Sequence, residues 1–118
     1  MRKPCIDNNA DINAKNKNGN TALILSAVKN HTSIVRLLID NKADINYKNN
    51  YGNTVLICAA SEGHTQIVKL LIDNNADINA KNEGGNTALV CAIYKNHMDT
   101  AKLLIDNGAN IWYKVNNF

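Results

Sequence analysis

The sequence predicts an all-α fold, an array of stacked two-helix units, from three observations. First, the stretch from Gly63 to Lys81 has close copies 33 residues upstream and, more weakly, 33 residues downstream. A fixed period of this length indicates units that bury their apolar faces against one another. Second, each copy carries two short helical patterns separated by turn residues. Third, only 5% of residues are aromatic, so Leu, Ile, Val and Ala must fill the core, which suits closely packed short helices.

The repeat divides the chain into three complete units and two partial ones. Residues 1–15 match the second half of a unit whose first half is missing. The complete units span residues 16–48, 49–81 and 82–114, and a tail at 115–118 begins a further unit. The third unit departs most from the common pattern. Because terminal repeats are atypical where they cap a stack, we predict that this unit is the C-terminal cap.

Each unit is predicted to begin its first helix at a threonine and, except at Lys42, to follow each helix with a residue that tolerates a left-handed backbone. The predicted N-caps are Thr21, Thr54 and Thr87. First helices are predicted over residues 22–29, 55–62 and 88–95, and they stop at Asn30, Gly63 and Asn96. Second helices, with apolar residues at i, i+3 and i+4, end near Asn41, Asn74 and Asn107. The residue after each second helix should adopt a left-handed backbone. Gly108 suits that position, whereas Lys42 should lower the stability of the fold by about 1 kcal/mol relative to Gly. An extended finger then turns back at Gly19, Gly52 or Gly85.

Charge and hydropathy exclude several classes of function. The net charge is +3, and the charges are scattered without a run of like sign, so attraction to nucleic acid or membrane should be weak. No apolar run is long enough to span a membrane, and no apolar segment follows the basic N-terminus as in a signal peptide. The three cysteines favour a reducing compartment, so we predict a cytoplasmic protein. Cys58 and Cys91 are predicted to be buried filler rather than a disulfide.

The second unit carries the most complete motif. It contains Gly-x-Thr-x-Leu, Ala-Ala, Gly-His, Ile-Val-x-Leu-Leu and Ala-Asp-Ile-Asn in that order, between Gly52 and Asn79. This order resembles the ankyrin repeat, and the resemblance covers residues 16–114 and the half unit before them. It implies a curved solenoid of helix-turn-helix pairs with β-hairpin-like fingers, without catalytic activity, which binds proteins on its fingers and first helices.

One family feature is missing in all three units. The family's Thr-Pro-Leu-His becomes Thr-Ala-Leu-Ile, Thr-Val-Leu-Ile and Thr-Ala-Leu-Val at residues 21–24, 54–57 and 87–90. The family's hydrogen bond between Thr and His therefore cannot form, although the threonine cap is retained.

Positions at which the copies differ are the candidate binding residues, because the scaffold does not dictate them. They lie on the fingers and at the ends of the first helices, with one aromatic residue beyond: Asn18, Asn20, Val28, Lys29, Tyr47, Tyr51, Asn53, Ser61, Glu62, Asn86, Tyr94, Lys95 and Trp112. Aromatic residues are common interface hot spots, so Tyr51 and Tyr94 are the first candidates. Trp112, with Tyr113 and Phe118, either shields the last unit or contacts another molecule. Ordinary variation on a solvated face is the alternative for each position.

The remaining motifs favour structural roles. His31, His64 and His97 share one column, but packed helices lie about 8–10 Å apart and zinc ligands need about 2.0–2.1 Å. We therefore predict that they bond backbone atoms. No catalytic or phosphate-binding motif occurs, so we predict no enzymatic activity and no cofactor. Asn46 and Asn79 match the target pattern of asparaginyl hydroxylase in ankyrin repeats and are candidate hydroxylation sites, with a structural finger role as the alternative.

A protein partner is the leading prediction. The Asn- and Lys-rich composition is typical of AT-rich genomes. Ankyrin proteins of microbes, parasites and viruses often act on host proteins. We therefore include a host protein among the candidate partners and delivery into a host cell among the candidate locations. The rival is a structural or degenerate array fragment that self-associates through an uncovered N-terminal edge. A column of lysines gives only thin support for binding of nucleic acid or phosphoinositide, so neither a specific nucleic acid nor a membrane is predicted as a partner. The column consists of Lys15, Lys48, Lys81 and Lys114.

Overall fold

The computed structural model describes residues 11–111 as a stack of helix-turn-helix units. Its six helices are α1 (Ala22–Val28), α2 (Thr32–Asp40), α3 (Val55–Glu62), α4 (Thr65–Asp73), α5 (Ala88–Tyr94) and α6 (Met98–Asp106). The only extended pairing in this range is an isolated antiparallel bridge between Lys15 and Thr21. The predicted all-α fold is therefore confirmed. Most of the N-terminal half unit, the tail and Trp112 lie outside the described residues.

Threonine side chains start the first helix of each unit, as predicted. Their hydroxyl oxygens accept hydrogen bonds from the backbone N–H groups three residues on, at 3.3 Å for Thr21, 3.2 Å for Thr54 and 3.3 Å for Thr87. All three threonines are buried. Each bond satisfies one of the donors that the first turn of a helix leaves unpaired, and it does so where water has little access.

Left-handed residues end the helices at the predicted positions. After the first helices, φ is +62° at Asn30, +73° at Gly63 and +65° at Asn96; after the second helices, φ is +72° at Lys42, +71° at Asn75 and +97° at Gly108. α1 and α5 end at Val28 and Tyr94, one residue earlier than predicted, because Lys29 and Lys95 have already left helical geometry as C-caps. Lys42 is the one long side chain in this left-handed set.

Apolar side chains between the helices form one continuous core. α3 packs against α1 on one side and α5 on the other, and each of the second helices packs against the first helix of its unit. Leucine columns run the length of the stack and are almost fully buried: Leu23, Leu56 and Leu89 on the first helices, and Leu38, Leu71 and Leu104 on the second. Ala59 and Ala60 are fully buried in α3, where small side chains let neighbouring helices approach closely.

Asparagine side chains connect neighbouring fingers in two series. In the first, the Oδ1 atoms of Asn13, Asn46 and Asn79 accept hydrogen bonds from the backbone N–H groups of Asp44, Asp77 and Asn110 at 2.8, 2.8 and 2.7 Å. In the second, Asn49 Nδ2 donates to Asn20 Oδ1 and Asn82 Nδ2 donates to Asn53 Oδ1, both at 2.9 Å. We call the second series the asparagine relay. These bonds join one unit to the next.

His64 bonds a backbone atom, as the sequence predicts for the three histidines. His64 Nε2 lies 3.0 Å from the carbonyl oxygen of Val28 in the preceding unit. The ring of His97 packs against Gly63, also in the preceding unit. These contacts cross between units and therefore hold the stack together in the absence of the family's Thr–His bond.

Candidate protein-binding surface

Six of the predicted contact residues lie together at the C-terminal ends of the first helices. We call this set the inner-helix strip: Val28, Lys29, Ser61, Glu62, Tyr94 and Lys95. Stacking of α1, α3 and α5 brings the three pairs into line. Tyr94 is 85% exposed, which is unusual for a large aromatic side chain on a rigid helix.

Two adjoining grooves run beside the inner-helix strip. The larger has a volume of about 530 Å³ and a mainly apolar lining formed by Ser61, Asn86, Val90, Cys91, Ile93, Tyr94 and Lys95. The smaller, of about 270 Å³, is lined by Val28, Asn53, Ile57, Cys58, Ser61, Glu62, Asn82 and Cys91. Because Ser61 and Cys91 line both, the grooves form one concave path along the first helices. The structure thus brings seven of the predicted contact residues to the walls of this path.

The predicted finger residues differ in how available they are. Tyr51 is 61% exposed at a finger tip, and Asn18 is exposed on the neighbouring finger. Asn20 and Asn53 are half-buried, and their side-chain oxygens already accept bonds within the asparagine relay. Tyr47 is also half-buried, with the ammonium of Lys15 5.7 Å from its ring centroid. Among the tyrosines between residues 11 and 111, Tyr51 and Tyr94 therefore leave more surface for a partner than Tyr47 does.

Charges on the strip alternate from one unit to the next. Lys29, Glu62 and Lys95 occupy the same position in successive units, and all three are exposed. On the second helices, by contrast, lysines pair with carboxylates one turn on, with Lys69 3.0 Å from Asp73. The predicted lysine column is also partly engaged in contacts between fingers, since Lys48 Nζ donates to the carbonyl oxygen of Lys81 at 2.9 Å.

Cys58 and Cys91 lie at the groove walls, partly buried and packed against the core. Neither is fully buried, whereas both were predicted to be buried filler; within the described residues Cys58 and Cys91 are unpaired thiols. Burial, together with smaller effects of the nearby Cys91 and Glu62, raises the pKa of Cys58 to about 11. Burial also raises the pKa of Cys91, although Lys95 opposes that shift. Both groups are therefore neutral thiols at pH 7, which makes them weak nucleophiles.

Helical spacing could have identified these wall residues. Cys58 precedes Ser61 by three positions and Cys91 precedes Tyr94 by three, so each pair shares a helix face. Val90 and Ile93, which were not among the predicted contact residues, have the same spacing. The repeat pattern did not mark Val90 and Ile93 as groove-wall residues, because the corresponding residues of the first two units belong to the core.

The candidate hydroxylation sites, Asn46 and Asn79, are exposed residues with engaged side-chain oxygens. Each accepts the backbone N–H of the next finger, which is the structural role weighed as the alternative. Hydroxylation of either residue remains a prediction.

Neither a cluster of metal-ligating side chains nor a membrane-spanning helix occurs in the part of the chain that the structure describes. Between residues 11 and 111 no three His, Cys, Asp or Glu side chains are grouped so that they could hold a metal ion. No helix in the same range has the length and apolarity needed to cross a bilayer.

Stacked helix pairs with a constant period, joined by hydrogen-bonded fingers, define a tandem-repeat solenoid of the kind that presents an extended binding surface. Comparison with family models identifies it further: a model of three ankyrin repeats matches residues 3–82, and an ankyrin repeat model matches residues 84–117. The chain belongs to the ankyrin repeat family. Among curated proteins, no sequence matches it. Ankyrin repeats are generally protein–protein interaction modules, and their fold is a non-enzymatic one.

Proposed function

We propose that this protein binds a partner protein along the inner-helix strip and its two grooves, with Tyr51 and Tyr94 as aromatic anchors. The observation that carries the proposal is the position of Tyr94 at the rim of the apolar-lined groove of about 530 Å³. Its side chain is 85% exposed and contributes little to the core. Exposed aromatic residues beside an apolar groove are typical of interface hot spots.

Rigidity of the scaffold supports this function. Asn53, at the base of the Tyr51 finger, is tied to the next unit through Asn82. The backbone of the finger is also tied forward, because the N–H of Glu83 donates to the carbonyl oxygen of Tyr51 at 3.1 Å. A surface that is ordered before binding loses less conformational entropy on association, so more of the contact energy appears as affinity.

The alternating charges of Lys29, Glu62 and Lys95 would favour a partner with the opposite alternation. Because these groups are exposed, they should affect the association rate and partner selection more than the final affinity. In this proposal the protein is not an enzyme, needs no cofactor and acts in the cytoplasm, and the candidate partners include a protein of a host cell.

A self-associating array fragment is the second candidate, and one observation favours it. Ile34 on α2 is 45% exposed, whereas Ile67, at the same position in the second unit, is fully buried. The N-terminal edge of the described stack therefore presents an apolar side chain that neighbouring units cover elsewhere. Exposed apolar edges of this kind promote association.

Photo-crosslinking tests the leading function. The full chain, with a photo-reactive amino acid at position 94, is irradiated in a lysate of the source cells, and captured proteins are identified by mass spectrometry. The purified partner should bind the Tyr51→Ala/Tyr94→Ala variant at least about tenfold more weakly than the native chain. Lys69→Ala on α4 is the control and should bind normally. Equal affinity for the double variant would reject the strip as the site, and a chain that crosslinks only to itself would support self-association.

A further inference from the structure

The smaller of the two grooves is formed by three successive units in the middle of the stack. Val28 comes from the first unit, Ile57 and Cys58 from the second, and Cys91 from the third. Its volume is about 270 Å³. Sites for whole small molecules usually have about 300–1,000 Å³, so this groove has room for one long side chain.

Oxygen atoms that accept hydrogen bonds lie along the polar part of this groove. Glu62 contributes a carboxylate, Ser61 a hydroxyl and Asn53 an amide oxygen. The amide oxygen accepts one bond from Asn82 Nδ2, which leaves it one lone pair. No side chain between residues 11 and 111 forms an ion pair with the Glu62 carboxylate, since the lysine–carboxylate pairs in that range lie on α4 and α6. The groove therefore offers several acceptors, one of them a charged group without a counterion.

The two grooves differ in the sign of their charge. Of the charged side chains between residues 11 and 111, Glu62 alone lines the smaller groove, whereas Lys95 lines the larger one. Cys58 and Cys91 add no negative charge at pH 7, because burial raises the pKa of both thiols. Lys29 and Lys95 occupy the position of Glu62 in the neighbouring units, but neither lines the smaller groove. The smaller groove is therefore suited to a cation.

The apolar part of the groove restricts which cation fits. Val28 and Ile57 add methyl groups to the lining, next to the two neutral thiols. A surface that is apolar along one part and charged at the other suits a long basic side chain, whose methylene stem packs while its head stays polar. A guanidinium carries five donors in a planar fork, whereas an ammonium is a compact point charge. Arginine therefore matches several separate acceptors better than lysine does.

We propose that the smaller groove binds one arginine side chain of the partner protein. Its guanidinium bonds the Glu62 carboxylate and the neighbouring oxygens, and its methylenes pack against Val28 and Ile57. The arginine belongs to the segment that binds the inner-helix strip, so the site rests on the proposed function. Because the two grooves carry opposite charges, the contact also selects one of the two directions in which that segment can lie along the strip.

Capped amino acids probe the site without the partner. The isotope-labelled full chain is titrated with N-acetyl-arginine N-methylamide and followed by NMR. The same derivative of citrulline is the matched control, because it has the same length and shape but no charge. We expect saturable chemical-shift changes at the backbone amides of Ser61 and Glu62, with arginine binding at least about threefold more tightly than citrulline. The preference should decrease as the salt concentration rises.

Matched variants assign the preference to one carboxylate. Glu62→Gln removes the charge and keeps the size, so capped arginine should bind this variant no better than capped citrulline. Asp40→Asn, at an exposed carboxylate at the end of α2, changes the net charge equally and should leave the preference unchanged. In a captured partner, substitution of the arginine by alanine should weaken binding to the native chain but have little further effect with Glu62→Gln.

Three results would overturn the arginine site. The first is an absence of saturable binding by capped arginine, or equal affinities of capped arginine and capped citrulline for the native chain. The second is an unchanged preference in Glu62→Gln. The third is tighter binding of capped lysine, or of free arginine, than of capped arginine, because a point-charge site or a small-molecule site would then be present. Failure of this site and failure of the strip are distinguishable, because the capped amino acids need no partner and Tyr51→Ala/Tyr94→Ala leaves Glu62 in place.

Discussion

Substitution of Gly63 by alanine should destabilise the protein through two separate effects. The residue ends α3 with φ +73°, a conformation in which a side chain costs about 1 kcal/mol. An added Cβ would also lie 2.6 Å from Nδ1 of His97 and 2.8 Å from two ring carbons, so the ring must move. Overpacking of this kind costs about 1–3 kcal/mol. The expected loss for Gly63→Ala is therefore about 2–4 kcal/mol.

Gly108 provides the control, because it also has a positive φ but lacks the crowding. Its φ is +97°, and an added Cβ would meet no atom within 4 Å. Gly108→Ala should therefore cost only the backbone term, about 1 kcal/mol. Urea unfolding followed by circular dichroism at 222 nm measures both losses in the free energy of unfolding.

A double-mutant cycle separates the two effects of Gly63→Ala. In a His97→Ala background the steric term disappears, so the added cost of Gly63→Ala should fall to that of Gly108→Ala. Equal losses for Gly63→Ala in the native and His97→Ala backgrounds would refute the contact between His97 and Gly63 as the cause.

Three further predictions concern single residues. Lys42→Gly should raise the free energy of unfolding by about 1 kcal/mol, because Lys42 has φ +72°, and an unchanged or lower urea midpoint would contradict this. Thr54→Ala should lower it by about 1–2 kcal/mol through loss of the buried cap bond to Ile57, whereas Thr54→Ser should retain most of the stability in the same assay. The Cys58 thiol should make the protein less stable in alkali: its pKa is about 11 in the folded chain against 9.0 for the ordinary thiol, so the unfolded state ionises first. Stability should be full below pH 9 and fall as the pH rises from 9.0 to about 11, a loss that Cys58→Ala should reduce.

Local rules account for the part of the fold that could be predicted from the sequence. A threonine before an apolar helical pattern and a Gly or Asn after it act within a few residues, so their consequences do not depend on the rest of the chain. The caps at Thr21, Thr54 and Thr87 and the left-handed residues after each helix confirm this. The stacking of the units was predicted from the family resemblance, because the local rules do not determine how one unit packs on the next.

Contacts between units were harder to predict because they depend on the offset at which the units stack. The relay bond from Asn49 to Asn20 joins residues 29 positions apart, whereas the bond from Asp44 to Asn13 joins residues 31 apart. Neither separation equals the 33-residue period, so aligning the copies does not reveal the partners. The abundant asparagines were therefore attributed to genome composition, although many of them join the fingers.

Sequence divergence between copies and exposure in the structure identify different parts of the same surface. Divergence selected Tyr94, because neither of the other units has an aromatic residue there. It did not select Ile93, although Ile93 also differs from Ala27 and Ala60 at the same position. Yet Ile93 is 48% exposed whereas Ala27 and Ala60 are fully buried, so the same column lies in the core of two units and at the surface of the third. In a repeat protein, the role of a residue therefore depends on the place of its unit within the array as well as on its own side chain, as the exposure of Ile93 shows.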